Sequence, residues 1–218
     1  MKKLITFDCY GTLIDTRPID QEVAKIGNEH HLDGDKVSAI YTLNDARLMY
    51  AEPYISLDEL IRTALERCDI MMGTNFMKNE YERMLHVYKS LQPFPEVIDV
   101  LKELRQRDYQ LVIMSNSCMS IMEHNLKALD NQIDEVILAE DVHAYKPQLT
   151  FFKQAEEQLN VKNREHCHVA QGYFEDIIPC TLLDWKKVWV NRENEKGIAA
   201  QQPYKEVQTL DQILPLFN

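Results

Sequence analysis

The chain has 218 residues, 45% of them hydrophobic and 27% charged, with a formal net charge of −11. That length fits one large domain or one core with a smaller insert, and the apolar fraction suffices to bury a core. The acidic balance argues against nonspecific binding to nucleic acid or anionic membrane, because the long-range field repels phosphate, although a local basic pocket still admits a small anion.

Five cysteines, Cys9, Cys68, Cys118, Cys167 and Cys180, form no C-x-x-C pair. This fits reduced thiols in a cytosol better than a disulfide framework or a zinc site. The N-terminus meets Asp8 too soon for a signal peptide, and no apolar run approaches the length of a membrane helix. The expected location is the cytoplasm, with no membrane or nucleic-acid partner.

In chain order, residues 3–8 read as a buried strand that ends on an acid. From about residue 18 to 90 the pattern is helical and polar. SLDELIRTALERC starts on a good cap, Ser56, with Glu59 three residues on as a capping box, and NEYERMLHVYKSL is a second amphipathic helix. Pro93 and Pro95 then punctuate the chain, and a helix runs to about Arg107. LVIMSNS reads as a strand, SIMEHNLKAL as a helix, EVILAEDV as a strand and LTFFKQAEEQL as a helix. HCHVAQ follows as a strand, EDIIPCTLLD as a helix and KKVWVN as a last strand. Alternating strands and helices predict a doubly wound parallel sheet covered on both faces, a Rossmann-like α/β core. The core is expected to span residues 1–15 and 91–218, with the helices of residues 16–90 inserted as a cap over the sheet.

In such sheets ligands bind beyond the carboxyl ends of the strands. The residues there are Asp8, Cys9 and Tyr10, then Ser115 and Asn116, Lys146 a little past its strand, and Gln171 to Asp176. They supply an acid, hydroxyl and amide donors, one cation and further acids. A strand-tip carboxylate such as Asp8 can attack an electrophilic centre and form a covalent ester or acyl phosphate; the plainer alternative is an acid capping a turn. Thr12 can orient that carboxylate, or serve only as a turn residue. Ser115 and Asn116 can hold substrate oxygens, or cap the next helix. Lys146 precedes Pro147 and is therefore extended. An ammonium placed near Asp8 keeps it ionised and stabilises developing negative charge.

FDCYGTLID, MSNS, YKP and AQGYFED together resemble the four motifs of the haloacid dehalogenase superfamily. The resemblance implies a hydrolase with Asp8 as nucleophile, assisted by Thr12, Ser115 and Lys146. Asp176 then either activates water or holds Lys146, and Glu175 beside it is expected to point elsewhere because neighbouring positions on a helix do not share a face. Phosphatases of that superfamily carry a second acid two residues after the nucleophile, where this chain has Tyr10, and D-x-Y-G-T is the form found in 2-haloacid dehalogenases. A phenol is a poor general acid at neutral pH, but halide leaves without a proton. Gln171 stands where phosphatases place a magnesium-ligating acid, which weakens a hard-cation site.

The match to dehalogenases is incomplete. An arginine that clamps the substrate carboxylate there corresponds to Thr42 here, with Arg47 nearby on the same helix. A serine and an asparagine of the fourth motif correspond to Gln171 and Tyr173, and a tyrosine after the K-P pair corresponds to Phe152. Tyr10, Asn116, Gln171, Tyr173 and Arg47 are the expected substrate-binding residues. Three readings follow: a dehalogenase-like hydrolase of a small anionic organic acid that requires no cofactor, a magnesium phosphatase of small esters, or a non-catalytic binding protein on this fold. A homodimer is a further expectation, with the Trp189 strand as one candidate face, equally suited to the core.

Overall fold

Leu4, Ile5, Thr6 and Phe7 are all buried, as a central parallel strand requires, since helices cover both of its faces. The structure, a computed structural model, describes residues 3–202 and 204–217; residues 1, 2, 203 and 218, which the expected core segments include, lie outside the described residues. The first strand, β1 (Lys3–Phe7), pairs in parallel with β2 (Tyr109–Ser115) on one side and β4 (His166–Ala170) on the other. Completed by β3 (Glu135–Leu138), β5 (Lys187–Val190) and β6 (Lys205–Val207), the sheet has the order β3-β2-β1-β4-β5-β6, with every pairing parallel. The strand order reverses at β1, so the crevice beyond its carboxyl end is where a ligand fits.

Alternation along β2 splits the core. Leu111 and Ile113 face an apolar cluster with α5 (Val97–Gln106) and the C-terminal turn Leu210–Leu216, whereas Val112 and Met114 face the opposite cluster. That second cluster is continuous with the helices after β1: α1 (Arg17–Glu29), α2 (Gly34–Met49), α3 (Leu57–Met72) and α4 (Tyr81–Ser90). Ser56 caps α3 as its sequence suggests, accepting from the Glu59 amide at 3.2 Å, and Gly73 closes the helix in the left-handed region at φ +68°. The remaining helices are α6 (Met119–Ala128), the short α7 (Ala139–Val142), α8 (Leu149–Gln158) and α9 (Ile178–Leu182). Among the described residues no helix is long and apolar enough to cross a membrane.

Three elements differ from the sequence reading. EVILAEDV is a strand only through Leu138, because the Asp141 carboxylate accepts from the Leu138 amide and starts α7. EDIIPCTLLD is not one helix: a wide π turn, Tyr173–Ile177, precedes α9. The last strand of the sheet is β6, a three-residue edge too short to read from its sequence. Trp189 is 1% exposed and donates its indole N–H to the Gln171 carbonyl at 3.0 Å, so it belongs to the chain's own core and offers no dimer face.

Candidate active site

Asp8 stands at the tip of β1, tied by its amide to the Val169 carbonyl of β4 at 3.0 Å. The chain then turns tightly, Leu13 and Ile14 both bonding back to the Cys9 carbonyl, with Gly11 at φ +79°, a conformation that favours glycine. This turn brings Thr12 back over Asp8. Its hydroxyl donates to Asp8 Oδ2 at 2.6 Å and accepts from the Gln171 amide at 2.7 Å, locking the first loop to the fourth. Arg192 braces the turn from outside, donating to the Gly11 and Thr12 carbonyls.

Lys146 Nζ lies 2.8 Å from Asp8 Oδ1 and 2.7 Å from Asp176 Oδ1, and all three side chains are buried. Asn116 places that lysine: its Oδ1 accepts from the Lys146 amide at 2.7 Å and its Nδ2 donates to the Lys146 carbonyl at 3.0 Å. Burial opposes the ammonium, yet Asp176 and Asp8 together hold its pKa above the ordinary lysine range. Burial pushes both carboxyls up, and the Lys146 ammonium pulls each back down. Lys146 therefore stays charged and keeps a carboxylate beside it.

Asp176 is also held from behind. His168 Nε2 is 3.0 Å from Oδ1, and the Thr6 hydroxyl bridges His168 Nδ1 at 2.7 Å to His166 Nε2 at 2.8 Å. Burial drives both imidazoles down to about 3, so they are neutral. With His168 donating Nε2–H to the carboxylate, Thr6 donates to Nδ1 and accepts from His166, a tautomer assignment the network fixes. Two donors thus meet at Oδ1, while Asp176 Oδ2 has no hydrogen-bond partner among the described residues. Asp176 Oδ2 is therefore the one oxygen of this carboxylate left open to accept a proton.

These groups line a cavity of about 420 Å³ between the strand tips and helices α1 to α4. Asp8, Tyr10, Asn116, Lys146, Gln171 and Asp176 all face it. The Tyr10 hydroxyl donates to Asn125 Oδ1 at 2.7 Å and lies 3.1 Å from the Ser117 hydroxyl. Burial raises its pKa well above the ordinary phenol value, so it stays neutral.

Other expectations are corrected. Arg47 is exposed and does not line the cavity, because it sits on the outer side of α2. Tyr173 points away, bonding the Ile198 backbone and packing edge-on against Trp189. Ser115 is fully buried with its hydroxyl unpartnered among the described residues, and it does not line the cavity. Glu175 does face the cavity, where Tyr50 donates to it, because the π turn carries Glu175 and Asp176 to the same side. Phe152 is buried against His168 and Trp185.

A family model described as haloacid dehalogenase-like hydrolase matches residues 2–177. The chain belongs to this family. It is 27% identical over 203 residues to haloacetate dehalogenase H-2 of Moraxella sp. (strain B), covering 88% of each chain. It is 25% identical over 221 residues to (S)-2-haloacid dehalogenase 4A of Burkholderia cepacia, covering 96% of this chain and 92% of that one. A dehalogenase crystal structure with an intermediate complex superposes with a TM-score of 0.85 at 22% identity, covering 100% of this chain and 97% of the other, which establishes the shared fold.

Magnesium, which phosphatases of this superfamily use, does not fit the donor set of this hydrolase. One oxygen of Asp8 and one of Asp176 are taken by Lys146, the fourth loop offers the neutral Gln171, and among the described residues no cluster of three or more acids, histidines or cysteines is placed to hold a metal.

Asn125, His168 and Asp45 join the site without an evident sequence signal, and Ser117 and Gly172, which lie inside the second and fourth motifs, join it without having been singled out. A Cβ on Gly172 would lie 2.5 Å from Asp176 Oδ2 and 3.2 Å from Glu175 Cβ. Gly172→Ala is therefore expected to displace the Asp176 carboxylate and lower turnover by about 100-fold, with the protein still folded by circular dichroism. Wild-type turnover in this variant would remove Asp176 Oδ2 from the chemistry.

Proposed function

We propose that this hydrolase releases halide from a small organic halo acid through a covalent ester on Asp8, with the helices of residues 16–90 acting as a cap that sets substrate choice. Asp8 attacks the carbon bearing the halogen; a C–O bond forms, the C–halogen bond breaks, and halide departs with the bonding pair. Lys146 and Thr12 hold the carboxylate in place and ionised. Water then attacks Asp8 Cγ as Asp176 Oδ2 takes one of its protons, and the bond between Cγ and the ester oxygen breaks. Asp176 hands that proton to the departing alkoxide to give the hydroxy acid, and Asp8 is left as an acid that loses its proton to solvent. The observation that carries the reading is Tyr10. Where a phosphatase needs an acid to protonate an alkoxide, this site has a neutral phenol committed to Asn125.

The reaction is expected to need no metal, since the charge of a halo acid sits on its carboxylate and not on the carbon attacked, unlike that of a phosphate ester, and Lys146 offsets the charge near Asp8. The test is a side-by-side screen of 2-haloacids and small phosphate esters, reading halide and phosphate, with and without excess EDTA. Halide release unaffected by EDTA is expected. Phosphate release abolished by EDTA and restored by magnesium would replace this reading with the phosphatase one.

A further inference from the structure

Thr42, Asp45 and Met49 lie three and four residues apart on α2, on one face, and that face forms a wall of the cavity opposite the strand tips. The other residues of α1 to α4 and their connections on this wall, Thr16, Ile19, Leu57 and Tyr88, are uncharged, so Asp45 is its one charged group among the described residues. Asp45 forms no hydrogen bond or ion pair among the described residues, and of the other polar groups lining the cavity only Thr16, the Gln171 side chain and Asp176 Oδ2 are likewise uncommitted. Lys146 is taken by Asp8 and Asp176, Tyr10 by Asn125, Asn116 by the Lys146 backbone and Glu175 by Tyr50. Among the described residues no arginine lines the cavity. A carboxylate that seats its carbon over Asp8 therefore meets an unpaired acid where a cation would be expected.

We infer that Asp45 receives the substrate's carboxylate as a neutral acid, the two carboxyl groups sharing one proton. The inference rests on the proposal that the substrate is a small organic acid. Two carboxyls at hydrogen-bond distance do not both ionise, and the one in the less solvated place keeps the proton. The surroundings of Asp45 favour that state. The titratable groups close enough to influence it electrostatically are the Asp20 carboxylate of α1 and the neutral phenols Tyr41, Tyr50, Tyr88 and Tyr145. Across the cavity stand Asp8, Glu175 and Asp176, with Lys146 between two of them. Burial, then Asp20, pushes Asp45 up to about 7, so its proton is held well above the ordinary carboxylate range. The sign follows. Binding needs the protonated form, so affinity is full below about 7 and falls tenfold per pH unit above it.

The test uses the wild-type protein and 2-hydroxypropanoate, an unreactive acid of product size, titrated calorimetrically from about pH 5.5 to 9 in two buffers of different ionisation heat. Above pH 7 the uptake of up to one proton per ligand is expected, with affinity falling tenfold per pH unit. Asp45→Asn, whose amide donates without titrating, should bind with flat affinity and no proton uptake. Binding in the wild type that is independent of pH, that strengthens as pH rises, or that is absent throughout would overturn the inference. So would tighter binding of 1-amino-2-propanol, a cation of the same size, which would make Asp45 an anionic anchor. Failure of the dehalogenase reading shows separately, as carboxylate binding without halide release from any 2-haloacid.

Discussion

Asp8→Asn protein is expected to fold and to show no turnover on any substrate, a loss of at least about 10⁴-fold. The amide is nearly isosteric with the carboxylate. Its oxygen can still accept from Lys146, and the Thr12 hydroxyl can rotate to meet the new N–H, so the two contacts that fix Asp8 do not demand the charge. What is lost is the nucleophile, for which nothing else at the β1 tip substitutes: Cys9 is fully buried, and burial holds its thiol well above the ordinary range. The check is initial rates on purified variant, with deamidation back to aspartate excluded by mass spectrometry. A wild-type rate in such a sample would remove Asp8 from the chemistry.

Lys146→Met is expected to lower the rate by about 10³-fold or more, because the ammonium stands where charge develops and where the nucleophile must stay ionised. The same change should cost stability. Lys146 is the cation shared by two buried carboxyls, and removing one partner of a buried ion pair costs about 3–5 kcal/mol, since the charge left behind is uncompensated. Asp8 and Asp176 would then take up protons on folding, and the variant should gain stability as pH falls toward their raised pKa values. Rates measured well below the variant's melting temperature separate the two effects. A rate change under tenfold in folded protein would make Lys146 structural only.

Much of the site could be read before the structure because strand ends are local features. Asp8 and Thr12 share one tight turn, so four residues of separation become 2.6 Å. Asn116, Lys146 and Asp176 come together because parallel strands deliver their carboxyl ends to one edge of the sheet. The misreadings arose where side-chain direction depends on helix phase or packing. On α2, Arg47 is two residues from Asp45, about 200° around the helix, so when Asp45 faces the cavity Arg47 cannot. Glu175 was expected to point elsewhere from ordinary helix geometry, and the π turn changes that geometry. Tyr173 was placed by alignment alone, whereas its ring is drawn into the cluster of Trp189 and Tyr204. The His166, Thr6 and His168 chain behind Asp176 joins residues 160 and 162 positions apart, which no local pattern reveals.

The covalent step on Asp8 is tested most directly by one turnover of a 2-haloacid by excess enzyme in ¹⁸O-labelled water, with product and Asp8 peptide both weighed. Attack by Asp8 on carbon, followed by water at Asp8 Cγ, predicts a first-turnover hydroxy acid carrying unlabelled oxygen from the enzyme, and ¹⁸O in the Asp8 carboxylate. Label in the product with none in Asp8 would mean that water attacks the substrate directly, and would contradict the account.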